Sequence, residues 1–94
     1  MSVYMLVEIT VKDQVLYDRY LEQIPAVIRE YKGRYVVRSS KITPNSGGWK
    51  PDRIILMEFD TLAELRACFD SPEYKAFGLM REKSAITRTI VIES

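Results

Sequence analysis

Histidine is absent from this 94-residue chain, and cysteine occurs once. Without imidazole the chain lacks the commonest general base near neutral pH and the commonest ligand of transition metals. The expectation is therefore a protein with no metal and no cofactor. Cys68 alone cannot close an internal disulfide, and on a helical stretch it reads as a small apolar packing residue rather than a nucleophile. No apolar run approaches the roughly 20 residues that cross a bilayer, and the first ten residues lack the basic start and long apolar core of a secretory signal. A cytoplasmic location and no membrane partner are expected. Charge of either sign is not in surplus either: 14 basic residues stand against 13 acidic ones. Mixed along the chain, they leave no basic stripe for a phosphate backbone, so nucleic acid is not expected as a partner. The length fits one domain, residues 1–94, burying only about 60–65% of its unfolded surface. Association would help so small a core.

What is present is densest between Pro51 and Tyr74. Ile54 to Met57, closing on Glu58 and Phe59, predicts a mostly buried strand from Arg53 to Phe59 with one acid near its end. Thr61 with Glu64 three residues on forms a capping box that starts a helix directly off the strand. Ser71 and Pro72 supply a second N-cap and first-turn proline. The helical segment from Leu62 to about Lys83 is thus predicted to be broken, with Leu62, Leu65, Phe69, Phe77 and Met80 facing the core.

Before it, Val3 to Val11 alternates with period two and is apolar on both phases, which predicts a strand covered on both faces. Asp13 caps a predicted helix from Gln14 to about Tyr31, whose Tyr17, Tyr20, Leu21, Ile24, Val27, Ile28 and Tyr31 recur at spacings of three and four. Pro25 is expected to kink or split it, and Gly33 fits the position just past its end. A second strand runs from Arg34 to about Ile42, with Tyr35, Val37 and Ser39 on one face and Val36 and Arg38 on the other. The turn-rich stretch Thr43 to Lys50 carries Trp49 at its end, to cover a pocket or pack an edge. Ile86 to Glu93 closes the chain as a fourth strand.

Strand, helix, strand, strand, helix, strand is the order of the α+β ferredoxin-like fold, βαββαβ, with an antiparallel four-stranded sheet and both helices on one face. The expected spatial strand order is four, one, three, two. The other face would expose Tyr4, Leu6, Glu8, Val36, Arg38, Ile54, Leu56, Glu58 and Val91, too apolar for water. A homodimer with a barrel-like core, sheet against sheet, follows as an expectation.

These pieces carry a resemblance. Tyr17 and Tyr20, the Tyr-x-Gly-x-Tyr-x-x-Arg stretch from Tyr31 to Arg38, WKPDR from Trp49 to Arg53, Glu58 with Phe59, and SPEY from Ser71 to Tyr74 followed by Arg81 resemble the DUF1330 family of domains of unknown function. That family lies within the dimeric α+β-barrel superfamily, and the likeness spans nearly the whole chain. Arg34, Ser39, and Gly47 with Gly48 depart from the family pattern. The resemblance implies the fold and the dimer. Relatives in the superfamily include cofactor-independent monooxygenases, haem enzymes and isomerases of small organic acids, and the missing histidine argues against histidine-ligated haem here.

Two sets of residues are candidates for function. Glu8, Glu58 and Arg38 are expected to share the uncovered sheet face. There Arg38 pairs with Glu58, while Glu8, left without a cation, has a raised pKa suited to proton transfer. The same trio also fits a satisfied polar cluster that only fixes assembly. Tyr74 and Arg81, seven residues apart, fall on one helix face and suit an anionic ligand; as ordinary helix residues they would pack a ring and bind carbonyls. Arg38, Trp49 and Arg53 complete the ligand-binding set. The two functional readings are an uncharacterised cytoplasmic enzyme or binder, free of cofactors, acting on a small organic ligand in a barrel cavity, and a non-catalytic dimeric module.

Overall fold

The computed structural model describes residues 2–94; Met1, included in the expected 1–94 domain, lies outside the described residues. The elements are β1 (Val3–Val11), α1 (Gln14–Glu30), β2 (Arg34–Ser39), β3 (Arg53–Phe59), α2 (Leu62–Phe69), α3 (Pro72–Lys75), α4 (Gly78–Ser84) and β4 (Ala85–Glu93). The strands pair antiparallel in the order β2-β3-β1-β4. This is the expected ferredoxin-like sheet, α+β in class. Over its Cα atoms the molecule measures 34 × 32 × 16 Å, the thickness of one sheet and one helix layer.

Alternation on the central strands decides which side chains meet the helices. Val3, Met5 and Ile9 of β1 and Ile55, Met57 and Phe59 of β3 are buried beneath Tyr17, Tyr20, Ile24 and Ile28 of α1 and Leu65 and Cys68 of α2. Burying a side chain of this size stabilises by about 1.5–3 kcal/mol, so a one-residue slip of either strand would exchange the core for the open face. The helix starts are fixed locally. Leu16 N–H donates to Asp13 at 3.1 Å, Glu64 N–H to Thr61 Oγ1 at 3.1 Å, and Tyr74 N–H to Ser71 Oγ at 3.1 Å. The Tyr31 hydroxyl donates to Glu73 at 2.7 Å, tying the end of α1 to α3.

Five expectations need correction. Pro25 does not split α1, which runs unbroken from Gln14 to Glu30. β2 stops at Ser39 rather than near Ile42, and the segment after β3 breaks twice, giving three helices. The second strand also changes phase: its pairing with β3 shifts between Tyr35 and Val37, so Val37 lies opposite Leu56 and Arg38 opposite Ile55. One extra residue in an edge strand reverses the face of everything after it. Arg38 therefore points to the helix side, where its guanidinium sits 4.4 Å from the centre of the Tyr35 ring. β4 likewise runs in the opposite phase to the one expected. Val91 pairs with Met5 on the helix side, whereas Ile90 pairs with Leu6 and Ile92 with Tyr4 on the open side.

The end of α1 shows why glycine stands at position 33. Gly33 N–H donates to the Ile28 carbonyl at 2.9 Å and Lys32 N–H to Arg29 at 3.0 Å, a Schellman closure in which Lys32, at φ 68°, takes the left-handed position. Gly33 is needed for space instead: a Cβ there would lie 2.6 Å from Phe59 Cζ and 2.7 Å from Ile28 Cγ2. Phe59 and Ile28 are wholly buried and have nowhere to go. Gly33→Ala is expected to destabilise the fold by about 1–3 kcal/mol, the range for an overpacked core, read as a lower urea midpoint at unchanged slope. An unaltered midpoint would show that this approach is not close.

Candidate functional site

A cavity of about 280 Å³ lies between the sheet and the helix layer. Its floor comes from Met5, Val7 and Ile9 of β1 and Ile55 and Met57 of β3, and its walls from Tyr17, Tyr20 and Ile24 of α1 and Tyr74 and Arg81 of α3 and α4. Thr87 and Thr89 line it from the edge strand β4, where Thr89 is exposed and marks the mouth. Close packing leaves few voids larger than a water molecule in a protein interior. A space this large in the principal core is a built feature, at the small end of ligand pockets.

Broken helices bring its polar groups together. The Ser71 hydroxyl donates to the Cys68 carbonyl at 2.6 Å and caps α3, turning the chain so that the Tyr74 ring meets Phe69 edge-on at 4.8 Å. Phe69 in turn meets Phe59 at 5.8 Å, again edge-on, which holds Tyr74 against the core. A second break after Lys75 starts α4 at Gly78, and the Arg81 guanidinium lies 4.9 Å from the Tyr74 ring centre. Tyr74 and Arg81 do meet, but across two short helices rather than along one. Tyr17 and Tyr20 stack at 6.0 Å on the facing helix.

Electrostatically the cavity is a cation among neutral phenols. Burial pushes the Tyr35 hydroxyl up to about 12 and also raises those of Tyr17 and Tyr74. At neutral pH these hydroxyls remain protonated and can donate. Burial works against the charge on Arg81, but the Tyr20 and Tyr74 hydroxyls near it more than offset this, and its pKa rises. Arg81 Nη1 is buried without a hydrogen-bond partner. Among the described residues no carboxylate lines this cavity.

The remaining candidates lie elsewhere. Glu8 and Glu58 are on the uncovered face, separated from the cavity by the sheet, and Arg38 does not join them. Glu8 accepts from the Trp49 indole at 2.7 Å and from Arg88 Nε at 2.6 Å. Those two partners hold its carboxyl below the usual range, so the expected raised pKa is corrected: Arg88, its cross-strand neighbour, is the cation that Glu8 was expected to lack. Glu58 is also lowered, first by the Ser2 hydroxyl and then, against some desolvation, by Arg34, whose Nε lies 3.2 Å away. Arg34 also reaches Asp60 at 2.8 Å. Trp49 thus packs on the open face and not over the sheet–helix cavity; Gly47 and Gly48, at φ 82° and 71°, turn the chain just ahead of it. Arg53, facing Ile9, lies close enough to Tyr17 to act on its hydroxyl and borders a second hollow of about 370 Å³ with Gln14, Asp18 and Asp52. Its Nε is buried and unpartnered. In the sequence Tyr17 and Tyr20 read as amphipathic packing of α1; only the broken helices opposite reveal that they line a space.

The sequence pattern described as Domain of unknown function (DUF1330) matches residues 2–94. The chain belongs to this family. No curated protein matches it significantly. Among solved structures it is similar to a protein of unknown function from Rhodopseudomonas palustris, at 17% identity over 99% of this chain and 82% of that one, with a TM-score of 0.77. SnoaB, a cofactor-independent oxygenase from Streptomyces nogalater, shares 8% identity over 99% and 92%, with a TM-score of 0.73. A dimeric protein of unknown function with a ferredoxin-like fold from Bacteroides fragilis shares 18% over 99% and 96%, with a TM-score of 0.66. At these identities the likeness is one of fold.

The buried hydroxyls and thiol give the fold a pH signature. A phenol ordinarily titrates near 10.0 and a thiol near 9.0, while folding raises Tyr35 to about 12 and Cys68 to about 11. The unfolded chain therefore loses these protons first. The stability they contribute is whole below pH 9 and is lost as pH climbs through the folded values. Urea midpoints measured between about pH 8 and pH 11 are expected to fall in wild type and to fall less in Tyr35→Phe and Cys68→Ala. Parallel slopes in all three proteins would remove the buried groups as the cause.

Proposed function

We propose that this DUF1330 protein is a cytoplasmic homodimer that binds, and without a cofactor acts on, a small organic ligand in the cavity between sheet and helices of each protomer. The cavity carries this reading. An apolar floor, aromatic walls and a few convergent polar groups are the ordinary composition of a small-molecule site. The ligand-side residues are Tyr74 and Arg81 together with Tyr17, Tyr20 and Tyr35. Arg53 flanks them through Tyr17, and Arg38 stands at the Tyr35 edge. With its phenols protonated, the site suits stabilising negative charge on a ligand oxygen by fixed donors rather than abstracting a proton. Support from outside is limited to the fold, which SnoaB shares at 8% identity.

The second half of the proposal concerns the open face. Val37, Ile86, Ile90 and Ile92 are exposed there beside the half-buried Tyr4, Leu6, Ile54 and Leu56. A contiguous apolar surface of this kind marks an interface. The Bacteroides fragilis protein with the same fold is described as dimeric. On this reading Glu8 with Trp49 and Arg88, and Glu58 with Arg34, are polar points that fix how the two sheets meet. Proton transfer by Glu8 or Glu58, with Arg38 orienting a ligand and Trp49 covering it, would need a second site at that interface.

Two experiments test this. Light scattering is expected to give twice the chain mass for wild type and a shift toward the single mass for Leu6→Asp, whose charge would be buried in the interface. A wild-type monomer at micromolar concentration would defeat the dimer. Thr89→Trp, which fills the mouth of the cavity, is expected to weaken binding of small aromatic compounds at least tenfold while leaving the dimer intact. Equal binding by wild type and variant would put the ligand somewhere else.

A further inference from the structure

We infer that the ligand of this cavity is a monocarboxylate on an aromatic or branched apolar body, its carboxylate held by Arg81. This rests on the proposed ligand site and adds the chemical class. Among the described residues Arg81 is the one charged side chain lining the cavity. Among the described residues no acid forms an ion pair with it, since the three ion pairs join Arg34 to Glu58 and Asp60, and Arg88 to Glu8. Glu82, next in the chain, is exposed and acts on it only through space.

A guanidinium drawn into an apolar wall without an anion is costly unless something else compensates it. Here the Tyr74 ring covers one side at 4.9 Å and Tyr20 engages it, yet Nη1 keeps no partner. One planar guanidinium with neutral phenols beside it matches the charge and two oxygens of a single carboxylate. A phosphate ester would bring nearly two charges to one cation. The arginine of the adjoining hollow offers no equal site, because Arg53 shares that space with Asp18 and Asp52.

The test needs no variant to begin. Calorimetric titration of the wild-type protein with para-isopropylbenzoate and with its neutral amide, which has nearly the same shape, is expected to show at least tenfold tighter binding of the acid. Arg81→Gln should bring the two to equal affinity by weakening the acid alone, and Arg81→Lys should restore part of the difference. Equal affinity of acid and amide for wild type would overturn the carboxylate assignment while leaving the cavity as a ligand site. Binding of para-isopropylphenyl phosphate as tight as that of the benzoate would also overturn it. If neither compound binds, nor any neutral arene of similar size, both this inference and the ligand site beneath it fail.

Discussion

A four-stranded sheet with apolar side chains on both faces can satisfy only one of them with the helices this chain supplies. β1 sets the condition: Val3, Met5 and Ile9 go down into the helix-covered core, and Tyr4, Leu6 and Glu8 go up. Pairing on either side copies that alternation to β3 and β4. The helix layer secures one face, with its own partial vacancy, and leaves the other open. Fold, cavity and the proposed dimer all descend from this two-sidedness, because a sheet polar on one face would give no reason to expect a partner or to keep ions such as Glu8 among isoleucines.

The cavity depends on the opposite device, incomplete coverage. Had Leu62 to Ser84 formed one helix, its apolar stripe would have lain along α1 and the sheet, and the space would have closed. Ser71 and Pro72 stop it early, Gly78 restarts it, and Tyr74 is anchored through Phe69 and Phe59 rather than by its own helix. Three pieces cover less sheet than one, and the uncovered part lies toward β4, whose Thr87 and Thr89 form the rim. The breaks leave a cavity where a core would otherwise have closed.

The sequence discloses strongly what is repeated and weakly what happens once. Nine residues of β1, seven of β3 and the tyrosines of α1 declare their periods many times over, and the caps at Asp13, Thr61 and Ser71 act through hydrogen bonds within three residues. Strand order and layer arrangement follow from those. The single extra residue near Val36 leaves no mark, since an edge strand of mixed Val, Arg and Ser reads equally well in either phase. β4 hides its phase for a related reason: isoleucine occupies one set of positions and threonine with Val91 the other, and the apolar set turns outward, away from the core, to the face the proposed dimer would cover. Each ambiguity moved a candidate. Arg38 left the acids on the open face, and Arg88 took the place of cation beside Glu8.

That exchange separates the charges by function. The acids Glu8 and Glu58 sit on the open face, each already given a cation from a neighbouring strand, and both are held ionised. Such pairs are self-contained, and in the proposed dimer they would lose little against a second sheet, because the compensating charge would travel with them into the interface. On the cavity side the balance is left open. Arg81 has aromatic company but no acid, and the phenols around it keep their protons. On the proposed reading, a protein that compensates its carboxylates on one face of a sheet, yet leaves a guanidinium without an acid on the other, has put its unmet electrostatic demand where a ligand can answer it. Placing a glutamate on the cavity wall would satisfy Arg81 internally and stiffen the core, at the expense of the one feature that distinguishes this space from a packing defect.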